Sequence, residues 1–142
     1  MAEITRTHRT YKSNKEKSRA AIIIPNDNID AVLIQQLSDR DNVILELRYK
    51  NIRILAASMY FDITEEIDKK TAKVDKILQF GRGSGIIIAM DSNSRSTIWH
   101  DDQTNSRGKT LEEYLSRDLH IMNEAYHIPE SQRKQQHGTN DY

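Results

Sequence analysis

The hydrophobic positions form short runs broken by clusters of turn formers. Ala20-Ala21-Ile22-Ile23-Ile24 is apolar and β-branched, and it stops at Pro25-Asn26-Asp27-Asn28, so a strand is expected to end in a turn there. Residues 31–35 fit a second strand, and the runs NVILELR (42–48) and IRILAASMY (52–60) flank Tyr49-Lys50-Asn51 as a β-hairpin would. The period then becomes helical. Ile67, Val74, Ile77 and Leu78 share one face, Asp62 or Thr64 is the expected cap, and Glu65 and Glu66 suit the positive helix end. Lys69, Lys70, Lys73 and Lys76 occupy the rest of the cylinder and read as a solvated face. Gly81, Gly83 and Gly85 close this helix. The run Gly85 to Met90 is apolar on both faces, the pattern of a buried central strand. A second helix is capped by Asn105 or Ser106, with Leu111, Tyr114, Leu115 and Leu119 as its apolar stripe, and His120-Ile121-Met122-Asn123 suits a last short strand. Strands, helix, strand, helix, strand imply helices packed on a sheet, an α/β layered fold without internal repeat or visible domain boundary.

Composition narrows the function classes. The 142 residues are 37% hydrophobic and 30% charged, polar for a globular chain, which favours a modest or incomplete core. Lys and Arg number 21, as do Asp and Glu, so global charge gives no case for nucleic-acid binding. The basic residues do concentrate at the start, where Arg6, Arg9, Lys12, Lys15, Lys17 and Arg19 face only Glu3 and Glu16. That stretch reads as a leader or loop, with non-specific DNA contact as the alternative; its glutamates and lack of an amphipathic face argue against a transit peptide. The absence of cysteine excludes disulfides, thiolate zinc sites and thiol catalysis. No apolar run has the length of a membrane span. The glycines at 81, 83 and 85 follow a helix and precede a strand, the reverse of a dinucleotide-binding loop.

The densest group of functional side chains follows the strand ending at Met90. Asp91 and Asn93 form an Asp-x-Asn pair at a rigid strand end, where a carboxylate can orient and deprotonate water and an amide can donate to an oxyanion. The competing reading is an ordinary Asx-type turn, Asp91-Ser92-Asn93-Ser94. Trp99, the single tryptophan, suits packing of a loop more than stacking on substrate. His100-Asp101-Asp102 suits a solvated loop more than a metal cluster, because adjacent side chains rarely converge on one ion.

The longer pattern adds more. AMDSNSRSTIWHDDQTNSRGKTLEEYLSRDLHIMNEA (89–125) resembles the endonuclease domain of non-LTR retrotransposons, the reverse-transcriptase-associated branch of the endonuclease/exonuclease/phosphatase superfamily. The matching features are Asp91 and Asn93, Trp99, Asn105-Ser106-Arg107-Gly108 with Leu111 and Leu115, and Asn123. Upstream, Arg19-Ala20-Ala21-Ile22 and Ser58-Met59-Tyr60-Phe61 look like two further family strands, so the likeness covers residues 19–125. It implies a layered α/β sandwich of the DNase I-like type and Mg²⁺-dependent hydrolysis of DNA phosphodiesters, nicking target DNA for insertion. By the same likeness Asp91 would position the attacking water, Asn93 would hold the scissile phosphate and Tyr60 would contact it. Arg95, Trp99 and Arg107 are candidate substrate contacts. The implied partners are DNA and the remainder of a retroelement polyprotein with reverse transcriptase, and the implied location is nuclear.

Three departures limit the match. Nothing before Arg19 resembles the family strands that bring an asparagine and a metal-binding glutamate. ESQRKQQHGTNDY after Pro129 does not align with the family's Ser-Asp-His segment. Arg95 and Ser92 stand where the family often has histidine and phenylalanine. The expectation is therefore an incomplete sandwich: an unmatched basic segment 1–18, a central domain portion 19–125 and an unmatched polar tail 126–142. Without the principal metal glutamate, this chain is expected to bind metal poorly and to be weakly active or inactive. The alternatives are a decayed nucleic-acid-binding fragment, or an abasic-site nuclease or phosphatase of the same superfamily.

Overall fold

The computed structural model describes residues 9–13 and 17–124, which divide into two compact units between Asn93 and Ser94. The first holds all the sheet structure. Strands β1 (Arg9–Tyr11) and β2 (Ile22–Ile24) form an antiparallel pair. Strands β3 (Asp30–Leu33), β4 (Asn42–Tyr49), β5 (Ile52–Tyr60) and β6 (Gly85–Asp91) form a second sheet in that order. β3, β4 and β5 are antiparallel neighbours, whereas β6 runs parallel to β5, so the chain must cross over between them. Helix α1 (Ile67–Phe80) is that crossover.

The register explains how the two faces of the larger sheet are used. Val43, Leu45 and Leu47 alternate onto one face of β4 and pack with Tyr11, Ile22 and Ile24 of the smaller sheet and with Ala20 just before it, which makes a sheet-on-sheet core. Ile44 on the opposite face lies across from Ala57, and Leu55, Ala57 and Met59 of β5 share that face; all four are at most 4% exposed. Val74 and Ile77 of α1 are fully buried, and Gly81 at the helix end lies directly against Leu55 and Ile86. A Cβ at Gly81 would meet Ile86 Cδ1 at 2.7 Å, so the glycine lets the helix end pack close to β5 and β6, and a larger residue would make the Ile86 side chain shift.

The second unit contains a short 3₁₀ turn, Thr97–Trp99, and helix α2 (Ser106–Asp118), with Leu111 and Leu115 buried. Asn105 is the helix cap, its Oδ1 accepting from Gly108 N at 2.7 Å.

Several expectations change. β6 is an edge strand among the described residues, not a central one; its burial alternates, and Ile87 is 56% exposed. A continuous apolar run does not by itself distinguish the two positions. Asp62 and Thr64 do not cap α1. Helix α1 begins after Glu66 without a side-chain cap, while Asp62 accepts from the backbone and hydroxyl of Thr64 in a local turn. Lys70 is not solvated but 5% exposed, and Lys73 is largely covered as well. No strand forms at 120–123, where Met122 is exposed. Within the basic N-terminal segment, residues 9–11 are a paired strand, and Arg9 donates to the carbonyls of Asn26 and Ile29 rather than facing solvent. The expected tail at 126–142 lies outside the described residues.

Candidate active site

In the first unit, Tyr60, Asp91 and Asn93 meet because β5 and β6 end together. Tyr60 and Asp91 are register partners at the last rung of the parallel ladder. The next bond, Phe61 N to Asp91 O at 2.8 Å, extends the pairing one step past the strand ends. Asn93 then turns back. Its Nδ2 donates to Phe61 O at 2.7 Å, and its backbone N points at Asp91 Oδ1 from 3.4 Å. This turn needs a left-handed residue, and Asn93 has φ 46°, a conformation that asparagine tolerates better than most side chains. One amide donor of Asn93 is thus committed to orientation, which leaves its second N–H and its oxygen for other partners. Asp91 is exposed.

A second layer of charge surrounds Tyr60. Arg19 stacks its guanidinium over the Tyr60 ring, 4.6 Å from the centroid. The same guanidinium grips both oxygens of Asp41 at 2.7 Å each and reaches Asp62 at 2.8 Å. These bonds raise the Arg19 pKa above its ordinary value, with the Asp41 bond as the largest cause. The Asp62 carboxyl is held well below the usual range, chiefly by the Thr64 backbone and hydroxyl and then by Arg19. Asp41 also accepts from Tyr60 N through its carbonyl at 2.8 Å, so one residue anchors both Arg19 and the tyrosine backbone. Nothing in the local pattern signals this clamp: Arg19 and Asp41 are 22 positions apart and follow no shared periodicity.

In the second unit, Arg95 is engaged by Asp101, with Nη2 to Oδ1 at 2.9 Å. That bond raises the Arg95 pKa and lowers that of Asp101. Asp101 of the His-Asp-Asp run is therefore an ion-pair partner, and His100 Nε2 lies 3.2 Å from Asn123 O. Trp99 is half-buried and donates to Ser94 O at 3.4 Å, which folds the loop on itself. Arg107 is half-buried in the first turn of α2. Ser96, which no sequence pattern singles out, is fully buried and donates to Glu112 at 2.9 Å. The Asn-x-Arg-Gly motif now has a physical reason. Asn105 N donates to Arg95 O, and Arg95 N donates back to Asn105 Oδ1. Gly108 lies so close to the Arg95 carbonyl that a Cβ would sit 2.6 Å from its carbon and overlap its oxygen.

A divalent metal needs more than this cluster offers. Among the described residues, no three His, Asp or Glu side chains converge. Asp91 brings one carboxylate to the ends of β5 and β6, and the nearby Asp41 and Asp62 are engaged by Arg19, which is short of the oxygen-rich set that a hard cation needs. The described donors alone do not fit Mg²⁺.

Two sheets packed face to face, with α1 crossing between the parallel strands β5 and β6, are the arrangement of a DNase I-like α/β sandwich. The family model described as endonuclease-reverse transcriptase matches residues 54–142, and the chain belongs to that family. Among solved structures, the endonuclease domain of TRAS1, a telomere-specific non-LTR retrotransposon, has the same fold, with a TM-score of 0.77 and 24% sequence identity. The match covers 83% of this chain and 56% of that one, so the chain spans little more than half of that domain. No curated protein sequence matches the chain. Among the described residues, no helix is long and apolar enough to cross a membrane.

Proposed function

We propose that the chain is part of a DNA endonuclease of a non-LTR retroelement, built to hydrolyse phosphodiesters and nick target DNA so that reverse transcription can be primed there. The observation that carries this reading is the convergence of Tyr60, Asp91 and Asn93 at the ends of two parallel strands. Asp91 accepts a proton from the attacking water. The second N–H of Asn93 donates to a phosphoryl oxygen as charge develops, with its amide already oriented by Phe61 O. Tyr60, held under Arg19, contacts the same phosphate. Trp99 and Arg107 are further candidate contacts for DNA, whereas the guanidinium of Arg95 is already held by Asp101. Use of a divalent cation such as Mg²⁺ belongs to this reading through the family likeness alone. Reverse transcriptase in the same polyprotein and a nuclear location belong to it as well.

Because a cooperating catalytic set loses most of its rate when members are missing, the 142-residue chain is weakly active or inactive by itself. The second reading, a non-catalytic nucleic-acid-binding fragment, draws on the poor fit of the described donors to a divalent metal. Incubation of supercoiled plasmid with the pure chain and Mg²⁺ separates the two. Slow nicking that Asp91→Asn abolishes supports the enzyme, nicking that survives Asp91→Asn refutes the site, and plasmid left intact removes the activity claim for this chain by itself.

A further inference from the structure

We propose that Arg19 is a positioning residue of the candidate site: it fixes the ring of Tyr60 at the end of β5 and does not itself touch the phosphate. The identity of the ligand, a DNA phosphate, rests on the nuclease reading; the hold of Arg19 on the ring stands on the fold alone. An arginine beside a phosphate-contacting tyrosine is ordinarily expected to grip the phosphate as well. The bonds of this one commit it elsewhere.

Every nitrogen of the Arg19 guanidinium already donates. Nε and Nη2 bond to the two oxygens of Asp41 at 2.7 Å each, and Nη1 bonds to Asp62 Oδ2 at 2.8 Å. The N–H groups left over share these nitrogens, so a phosphate on them would sit beside two carboxylates. Lys70 adds no spare positive charge, because Glu65 comes with it as a further partner. Asp41 is only 7% exposed, which shields its two-point pair with Arg19 from solvent. A phosphate drawing Arg19 away would leave that buried carboxylate uncompensated, which is costly.

Tyr60 shows the opposite balance. It is the half-buried last residue of β5, and its hydroxyl has no hydrogen-bond partner among the described residues. Its own hydroxyl therefore does not tie the ring down; the guanidinium lies over the ring face instead, 4.6 Å from the centroid. Asp41 serves both attachments. Its carbonyl accepts from Tyr60 N at 2.8 Å, and its carboxylate holds Arg19, so backbone and ring are fixed relative to one residue. Tyr60 and Asp91 are register partners in the parallel ladder, so their side chains leave the sheet on the same face. Fixing the ring sets where the free hydroxyl stands relative to the Asp91 carboxylate. Lysine could not replace Arg19 here, because a single ammonium cannot bind a carboxylate at two points and lie flat on a ring.

The test uses the full chain in EDTA, so that bound DNA stays intact. Affinity for a short mixed-sequence duplex is measured across a salt series for the parent, Tyr60→Phe, Arg19→Gln, Arg19→Lys, and each arginine substitution combined with Tyr60→Phe. In parallel, the tyrosine ring signals of the DNA-free proteins are followed by NMR, with the amides of residues 43–47 reporting an intact core. Each single substitution is expected to weaken binding about tenfold, the effect of losing one hydrogen bond to a charged group. The combined variants are expected to bind no more weakly than Tyr60→Phe alone, with the slope of log affinity against log salt unchanged. The ring signals of Tyr60 are expected to move in both arginine variants, while those of Tyr49 and Tyr114 stay in place. If Arg19→Gln does not fold, Arg19→Lys carries the comparison. Binding rescued by lysine, a slope that falls by about 0.9 in Arg19→Gln, or losses that add in the combined variants would make Arg19 a direct phosphate contact or a general support, and each overturns the proposal. Ring signals of Tyr60 that ignore both arginine substitutions overturn it as well. A parent chain without affinity for DNA removes DNA as the ligand, and the ring signals alone then decide whether Arg19 holds Tyr60.

Discussion

Replacing Gly108 with alanine tests whether the Asn-x-Arg-Gly motif is a packing device. At an ordinary helical position this change stabilises by up to about 1 kcal/mol, because alanine is the better helix former. Here the new Cβ would lie 2.6 Å from Arg95 C and closer still to Arg95 O, both backbone atoms that cannot rotate away. The helix start and the Arg95 backbone must move apart. That movement breaks the bonds Asn105 N to Arg95 O (3.0 Å) and Arg95 N to Asn105 Oδ1 (3.1 Å). Two such bonds contribute about 0.5–1.5 kcal/mol each, and strain on the Asn105 cap adds about 1 kcal/mol. After the propensity gain is subtracted, the net loss is about 1–3 kcal/mol, read as a lower midpoint in urea or a Tm lower by roughly 4 °C per kcal/mol. Gly83→Ala is the control: its φ is 80° but nothing lies within 4 Å, so it carries only the left-handed backbone penalty, about 1 kcal/mol. A Gly108→Ala protein as stable as the parent would refute the close-packing account of the motif.

Two further outcomes follow from the charge clusters. Arg19→Gln removes the clamp on Asp41 and the ring contact with Tyr60, and is expected to lower Tm more than Arg48→Gln, which breaks only a pair to Glu46 with the arginine 65% exposed; equal effects in calorimetry would show the clamp to be dispensable. Asp39 and Asp62 both have lowered pKa values in the fold: burial raises that of Asp39, but the backbone N–H of Asp41, Asn42 and Lys73 together lower it more, and Thr64 leads the causes at Asp62. Their stabilisation is complete above the ordinary aspartate value of about 3.9 and fades as pH falls through the lower folded values. Urea midpoints should therefore decline below about pH 4, and Asp62→Asn should flatten that decline.

Much of this molecule was set by the local pattern. The alternation in 42–60 specified the hairpin, the spacing of Val74 and Ile77 specified the buried stripe of α1, and Asn105 was readable as a cap because its chemistry acts within three residues. Asp91 and Asn93 were legible as a pair because a strand end followed by a turn is a local event, and family likeness extended that reading to Tyr60. What remained open in the sequence concerns partners distant along the chain. The edge position of β6 depends on which strands pair, and Ile-rich runs look alike in the middle and at the margin of a sheet. Lys70 looked like one lysine among four on a solvated face. In the fold it pairs with Asp41, 29 positions away, and with the nearer Glu65, and lies over the Phe61 ring. The same holds for Arg19, whose grip on Asp41 and Asp62 spans 22 and 43 residues. Short-range hydrogen bonding and periodic burial are written along the chain, whereas ion pairs that close long loops depend on the packed backbone that brings their ends together.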